Sequence, residues 1–177
     1  MPKPSPIAKA PPDPKAVFNH ALRFMATDTE LRKLIDKEPD LFQFFQFPGM
    51  VISAFASELY LKCLLLLDGK GAITGHNLKT LYNKLSPDTK AKIEAEYATM
   101  MQITASEIAE LEKKLRRTLP KDLNTALTDC GLAFEQMRYI YEQPKGAAFY
   151  ITHLPLVLHK VIVRITAWDK QATAATR

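Results

Sequence analysis

The sequence predicts an all-α protein built as a helical bundle. Apolar residues recur at helical spacing in almost every segment, and the alternation typical of β-strands is weak throughout. Capping residues followed by proline mark helix starts at Asp13–Pro14 and Ser86–Pro87. The chain has 177 residues and 47% of them are apolar, which is enough for one domain with a substantial core.

The single helical domain is predicted to span residues 14–172. Residues 1–13 are predicted to be a disordered lead-in, because they are rich in proline and lysine. They also lack the apolar region of a secretory signal. Residues 173–177 are predicted to be a flexible tail.

Two short helices and an aromatic segment are predicted before the centre of the chain. Asp13 caps the first helix, and Asp28 is expected to cap a second one that ends at residues 37–39. A dense aromatic stretch follows and ends at Pro48. The sequence leaves open whether its phenylalanines belong to the core or form a partner-binding patch: Phe42, Phe44, Phe45 and Phe47.

The strongest predicted helix runs from Met50 to Asp68 and stops at Gly69. It is apolar nearly all round, so it should be a long, central, buried helix. Glu58 and Lys62 lie four residues apart and share one face of it. They are either an ordinary ion pair on an exposed strip or part of a buried polar cleft, where each charge needs a partner.

Shorter helices are predicted in the rest of the chain. A glycine-rich loop at residues 69–75 leads to the first of them, which is amphipathic. A charged, solvated helix follows later and is closed by Pro120, after which Asp122 can cap the next helix. The predicted helices cover residues 77–85, a segment that restarts at Ser86, and residues 105–119, 122–142 and 153–170.

Net charge, cysteine content and the length of apolar runs indicate which partners and which cellular compartment suit the protein. The net charge of +5 is mild, so it permits weak attraction to phosphate polymers without demonstrating it. Cys63 and Cys130 give no disulfide framework and indicate a reducing compartment, so the protein is predicted to be cytoplasmic. No apolar run is expected to reach membrane-spanning length, since the best candidate at residues 149–168 is interrupted by polar residues.

No metal or cofactor is predicted. His153 and His159 lie on different helix faces, and no cysteine or carboxylate accompanies them at a suitable spacing. The chain also lacks a phosphate-binding P-loop, a HExxH zinc motif and a nucleophile elbow.

Two segments about sixty residues apart resemble the HEPN superfamily of small helical domains. The first is Glu58-Leu-Tyr-Leu-Lys62, followed by Gly75-His76-Asn77-Leu78 and Leu81. The second is Phe134-Glu-Gln-Met-Arg138-Tyr-Ile-Tyr-Glu142. The likeness covers roughly residues 50–170 and is to bacterial members. It implies an up-down bundle with a long central buried helix and extra short helices, in a superfamily of RNA-cleaving toxins, catalytically silent relatives and nucleotide-binding modules.

The resemblance also implies where an active site would lie. HEPN ribonucleases carry an Arg followed, after four to six residues, by a His, and no arginine with a full window in this chain has that His. Arg138 is similar in position to the family's arginine, and Glu142 stands near the missing His. Glu142 can be a general base but cannot supply an imidazolium, so His76 or His153 would have to stand in.

The first hypothesis is a non-catalytic or weakly catalytic module that forms a homodimer through the helices around Arg138 and binds a nucleotide, RNA or protein partner. Its polar cleft would use tyrosines that stack on bases and an arginine that holds phosphate. The predicted ligand-binding residues are Glu58, Lys62, His76, Asn77, Arg138, Tyr139 and Tyr141.

Two alternatives remain open at the level of sequence. One is an RNA-cleaving toxin or phage-defence ribonuclease, independent of metal, with Arg138 and Glu142 as the altered catalytic pair. The other is a structural adaptor in which all these charges form ion pairs and the tyrosines belong to the core.

Overall fold

The chain folds as a bundle of α-helices. A computed structural model describes residues 10–116, 118–133, 136, 139, 141 and 153–168. No β-strand occurs in these residues, and the predicted all-α class is confirmed. Most of the predicted lead-in and the whole predicted tail lie outside the described residues. The described helices are α1 (Pro14–Lys37), α2 (Phe42–Leu67), α3 (Leu78–Asn83), α4 (Pro87–Ile103), α5 (Ala105–Leu115), α6 (Leu123–Asp129) and α7 (Leu154–Thr166).

Helix α1 is continuous where the sequence predicts two helices. Asp13 caps it as predicted, accepting hydrogen bonds from the backbone of residues 15 and 16, and it ends at Lys37. Asp28 lies in the middle of the helix and does not cap a new one. Its carboxylate accepts hydrogen bonds from Arg32 and Ser53, so the side chain is used in packing α1 against α2 and not in starting a helix.

Helix α2 is longer than predicted at its N-terminal end. It begins at Phe42, after a 3₁₀ turn at Pro39–Leu41, and continues through Pro48. Proline lacks the N–H that would bond to the carbonyl of Phe44, but the helix on both sides of it is maintained. The aromatic stretch that the sequence assigns to a separate segment is therefore the first part of α2.

Helix α2 is the centre of the described bundle. It packs against α1 along its length and also contacts α3 and α7, while α4 packs against α7, α5 and α6. The largest fully buried side chains come mainly from α2 and its neighbours: Tyr60, Leu61, Leu64, Leu65, Leu78, Leu81, Ile93, Leu127, Leu158 and Ile162. Burying each such leucine or isoleucine contributes about 1.5–3 kcal/mol to stability.

Within the part of the chain that the structure describes, one helical segment, Pro39–Leu67, is long and apolar enough to cross a membrane by length and composition alone. The prediction that no apolar segment reaches this length is wrong, because the helix begins before Met50 and runs through Pro48. Within the protein, 56% of its most apolar window is buried. A buried core helix meets the same criterion of length and composition.

Candidate functional site

The predicted polar cleft centres on Glu58, which lies in α2 and is 1% exposed. The Nζ atom of Lys62 donates to its Oε1 atom at 2.7 Å. The Nδ1 atom of His76 lies 3.0 Å from both carboxylate oxygens. Since an ionised carboxylate only accepts, Nδ1 carries the proton in this contact. Both oxygens of Glu58 are thus engaged by side chains of the protein itself.

This arrangement fixes the loop between α2 and α3. Gly69, Gly71 and Gly75 all have positive φ, a conformation that glycine adopts without strain. They allow the chain to turn and bring His76 back onto Glu58, eighteen residues earlier. The buried carboxylate therefore connects α2 to the segment that begins α3, and a ligand would meet Lys62 or His76 before it met Glu58.

Asn77 caps helix α3. Its Oδ1 atom accepts from the backbone N–H of Thr80 at 2.8 Å. The next residue, Leu78, donates its N–H to the carbonyl of Gly131 at 2.9 Å, which joins α3 to the end of α6. The side chain of Asn77 therefore caps α3 at the point where this helix meets the end of α6.

Gly131→Ala is expected to lower the free energy of unfolding by about 1–2 kcal/mol. A Cβ atom there would lie 3.0 Å from Nδ2 of Asn77 and 3.2 Å from the carbonyl oxygen of Leu127, and the backbone atom has little room to move. Urea denaturation followed by circular dichroism measures the change. The exposed Asp129→Ala, two residues away, is the control and should stay within about 0.5 kcal/mol of wild type.

The two predicted tyrosines lie on the surface. Tyr139 is 47% exposed and Tyr141 is 77% exposed, with their ring centroids 6.5 Å apart. They are therefore accessible and are not core residues. Arg138 and Glu142, the candidate catalytic pair, lie outside the described residues.

The surroundings of His153 lower the pKa of its imidazole below the ordinary value. Burial is the main cause that lowers its pKa, and the positive charge of Arg32 lowers it further, while Glu107 acts in the opposite direction. Of the two histidines considered as stand-ins for a catalytic imidazolium, His153 thus has an environment that opposes the charge.

A buried acidic residue that the sequence analysis did not single out is Glu96 of α4, which is 3% exposed. Its carboxylate pairs with Lys160 at 3.4 Å and with Arg164, both on α7. The sequence holds a signal for it, since Glu96 falls on the apolar stripe of α4 between Ile93 and Met100. An acid in that position requires a partner from a neighbouring helix.

A second polar group, whose role the sequence does not indicate, lies between α1 and α2. The Oδ2 atom of Asp28 accepts from Nε of Arg32 and from Oγ of Ser53, both at 2.8 Å. Its Oδ1 atom is buried without a hydrogen-bond partner among the described residues. A Cβ at Gly49 would lie 3.3 Å from this oxygen, so glycine lets the two helices approach closely here.

A pocket of about 380 Å³ lies between α3, α4 and the start of α6. Tyr82, Glu94 and Tyr97 line it together with Lys121 and Asn124. The phenol of Tyr82 donates to Glu94 at 2.6 Å. Burial and the neighbouring Glu94 carboxylate raise the pKa of Tyr82, which keeps the phenol protonated as this donor.

The aromatic stretch at the start of α2 is largely on the surface. Phe42 is 51% exposed, Phe44 is 63% exposed and Phe47 is 37% exposed, while Phe45 is half-buried. The question that the sequence leaves open is thereby answered for three of the four side chains. They form exposed aromatic surface, which marks a site of interaction more often than a single apolar residue does.

Among the residues described, no three His, Cys, Asp or Glu side chains lie close enough together to hold a metal ion. No protein-family model, curated protein or solved structure matches this chain.

Proposed function

We propose that the protein is a non-catalytic, HEPN-like helical module of the cytoplasm that forms a homodimer and acts through binding to protein. The observation that carries this proposal is the exposure of Phe42, Phe44 and Phe47 on one segment of α2. Exposed aromatic side chains are the residues that most often provide the binding energy of protein–protein interfaces.

The predicted cleft supports binding of a small ligand less well than this surface supports binding of protein. Glu58 is buried and both of its oxygens are occupied by Lys62 and His76. Asn77 is engaged in capping α3. All four of these predicted ligand-binding side chains are thus engaged in contacts within the protein, so nucleotide and RNA are the weaker candidates among the three partner classes.

The HEPN-like assignment remains part of the proposal. The two sequence segments and the all-helical architecture support it, and Arg138 and Glu142 lie outside the described residues. The absence of the superfamily's Arg-to-His spacing from the sequence supports the non-catalytic form. The homodimer is what the resemblance implies, and the exposed aromatic surface gives a physical reason for it.

An RNA-cleavage assay tests the non-catalytic claim. Purified protein is incubated with total RNA and with tRNA, with and without EDTA, beside Arg138→Ala. We expect intact RNA in every lane. Fragments that appear with wild type, survive EDTA and disappear with Arg138→Ala would establish the altered ribonuclease instead.

A further inference from the structure

The far end of the α1–α2 hairpin lies outside the core of the bundle. We call residues 29–48 the hairpin arm, and none of them is buried. The buried residues of α1 end at Asp28, and those of α2 begin at Gly49. A Cβ atom at Gly49 would lie 3.3 Å from Oδ1 of Asp28, so the boundary between core and arm crosses both helices at the same level. Segments with few buried contacts open at a lower free energy than the core.

Helix α2 is weakened at this boundary by Pro48 and Gly49. Pro48 has no N–H to donate to the carbonyl of Phe44, so the helix lacks one of its hydrogen bonds there. Gly49 follows directly and adds backbone freedom, because it has no Cβ atom. Sharp bends in helices are found chiefly at proline and at small residues. This is therefore the place where α2 bends most readily.

Helix α1 has a weak point that faces the one in α2. Thr27 and Thr29 lie on either side of Asp28. The hydroxyl group of each threonine donates at 3.0 Å to the backbone carbonyl four residues earlier. Such a bond competes with the hydrogen bonds of the helix itself and often bends it. Both helices of the hairpin thus favour bending where the arm joins the core.

One polar contact joins the two helices at this level. The Oδ2 atom of Asp28 accepts hydrogen bonds from Oγ of Ser53 and from Nε of Arg32, both at 2.8 Å. The Oδ1 atom of the same carboxylate is buried and has no hydrogen-bond partner among the described residues. A buried acceptor without a partner opposes the closed arrangement, and water reaches this oxygen when the arm moves away.

The arm is closed at its outer end by a turn. The N–H of Glu38 donates to the carbonyl of Leu34, and the N–H of Leu41 donates to the carbonyl of Glu38, both at 2.9 Å. The last turns of α1 are thereby connected to the first turns of α2 by only a 3₁₀ turn at Pro39–Leu41. The two halves of the arm must therefore move together.

We propose that residues 29–48 form a hinged arm that pivots on the bundle at the level of Asp28 and Gly49. Hinges of this kind need only a few residues that absorb the change in backbone angles. The arm carries the exposed side chains of Phe42, Phe44 and Phe47, on which the proposed function rests. A partner that binds these rings selects one position of the arm, so binding and the closing of the hinge are coupled.

Hydrogen exchange of the full chain, followed by mass spectrometry, tests the hinge. In wild type we expect the amides of residues 30–37 to exchange at least about 100-fold faster than those of residues 54–65, although both segments are helical. Pro48→Ala supplies the missing N–H, so it should slow exchange throughout the arm by at least about tenfold. The slowing should include residues 30–37 of α1, which the substitution does not touch, because the two helices open together.

A second pair of variants tests the contact at the base of the arm. Ser53→Ala removes the bond to Asp28 and should speed exchange of residues 30–37 by at least about fivefold. Ser57→Ala is the matched control, since Ser57 is equally buried but its Oγ donates at 2.9 Å to the carbonyl of Ser53 within α2. It should leave exchange of the arm as in wild type. Circular dichroism checks that each variant remains helical.

The outcomes are independent of the proposed function. Amides of residues 30–37 that are as well protected in wild type as those of residues 54–65 would overturn the inference. An effect of Pro48→Ala confined to residues 42–47 would also overturn it, because the two helices would then open separately. A hinged arm in a chain that stays monomeric at every concentration would leave the inference standing and contradict the proposed dimer.

Discussion

Lys62→Met is expected to lower the free energy of unfolding by about 2–3 kcal/mol, although it replaces a partly exposed lysine by an apolar residue of similar length. The substitution leaves Glu58, which is 1% exposed, with His76 as its remaining ion-pair partner among the described residues. Removing one partner of a buried pair costs about 3–5 kcal/mol, and we expect less here because His76 still contacts the carboxylate. Urea denaturation at pH 7 measures the change.

Glu58→Gln is expected to cost less than Lys62→Met, about 1–2 kcal/mol, because the amide keeps the volume and leaves no buried charge. The control is Lys92→Met. Lys92 pairs with Asp88 at the same i,i+4 spacing, but both side chains are well exposed, so the loss should stay below about 1 kcal/mol. Equal effects of Lys62→Met and Lys92→Met would mean that the Glu58 carboxylate is not buried as described.

The double variant Lys160→Ala/Arg164→Ala should destabilise the protein by about 3 kcal/mol. The two cations lie on the surface of α7, with side chains 39% and 69% exposed, and surface ion pairs ordinarily contribute little. Their shared partner Glu96 is 3% exposed, so their removal leaves a buried carboxylate unpaired between α4 and α7. The large loss of stability thus comes from the buried Glu96 carboxylate, which remains without its two partners.

Glu96→Gln provides the decisive comparison and should cost only about 1 kcal/mol, because no charge is then left buried. Lys70→Ala/Lys84→Ala removes the same net charge at two exposed positions and should be nearly neutral. Denaturant midpoints and slopes for wild type and these three variants rank their free energies of unfolding. If the double alanine variant of α7 were no less stable than Glu96→Gln, the account of an unpaired buried charge would be refuted.

Features governed by local hydrogen bonds could be predicted from the sequence. The caps at Asp13, Ser86 and Asp122 are each followed by the helix that they start, since the capping bonds span only two or three residues. The i,i+4 contact between Glu58 and Lys62 follows from spacing within one helix. These interactions depend on neighbouring residues and hardly on the rest of the fold.

Features that depend on distant residues could not be predicted in the same way. Asp28 is of a residue type that often caps helices, but its carboxylate instead accepts a hydrogen bond from Ser53, twenty-five residues later. The contact of His76 with Glu58 depends on the path of a glycine-rich loop. The exposure of Phe42 and Phe44 was open because core and interface helices share the same apolar pattern.

The central claim is that the protein associates with itself, and sedimentation velocity of the wild-type chain tests it most directly. Over a range from about 1 to 200 μM, which brackets the micromolar affinities of modest interfaces, we expect a shift to a species of twice the chain mass of 20.0 kDa. A single species of the chain mass at every concentration would contradict the account.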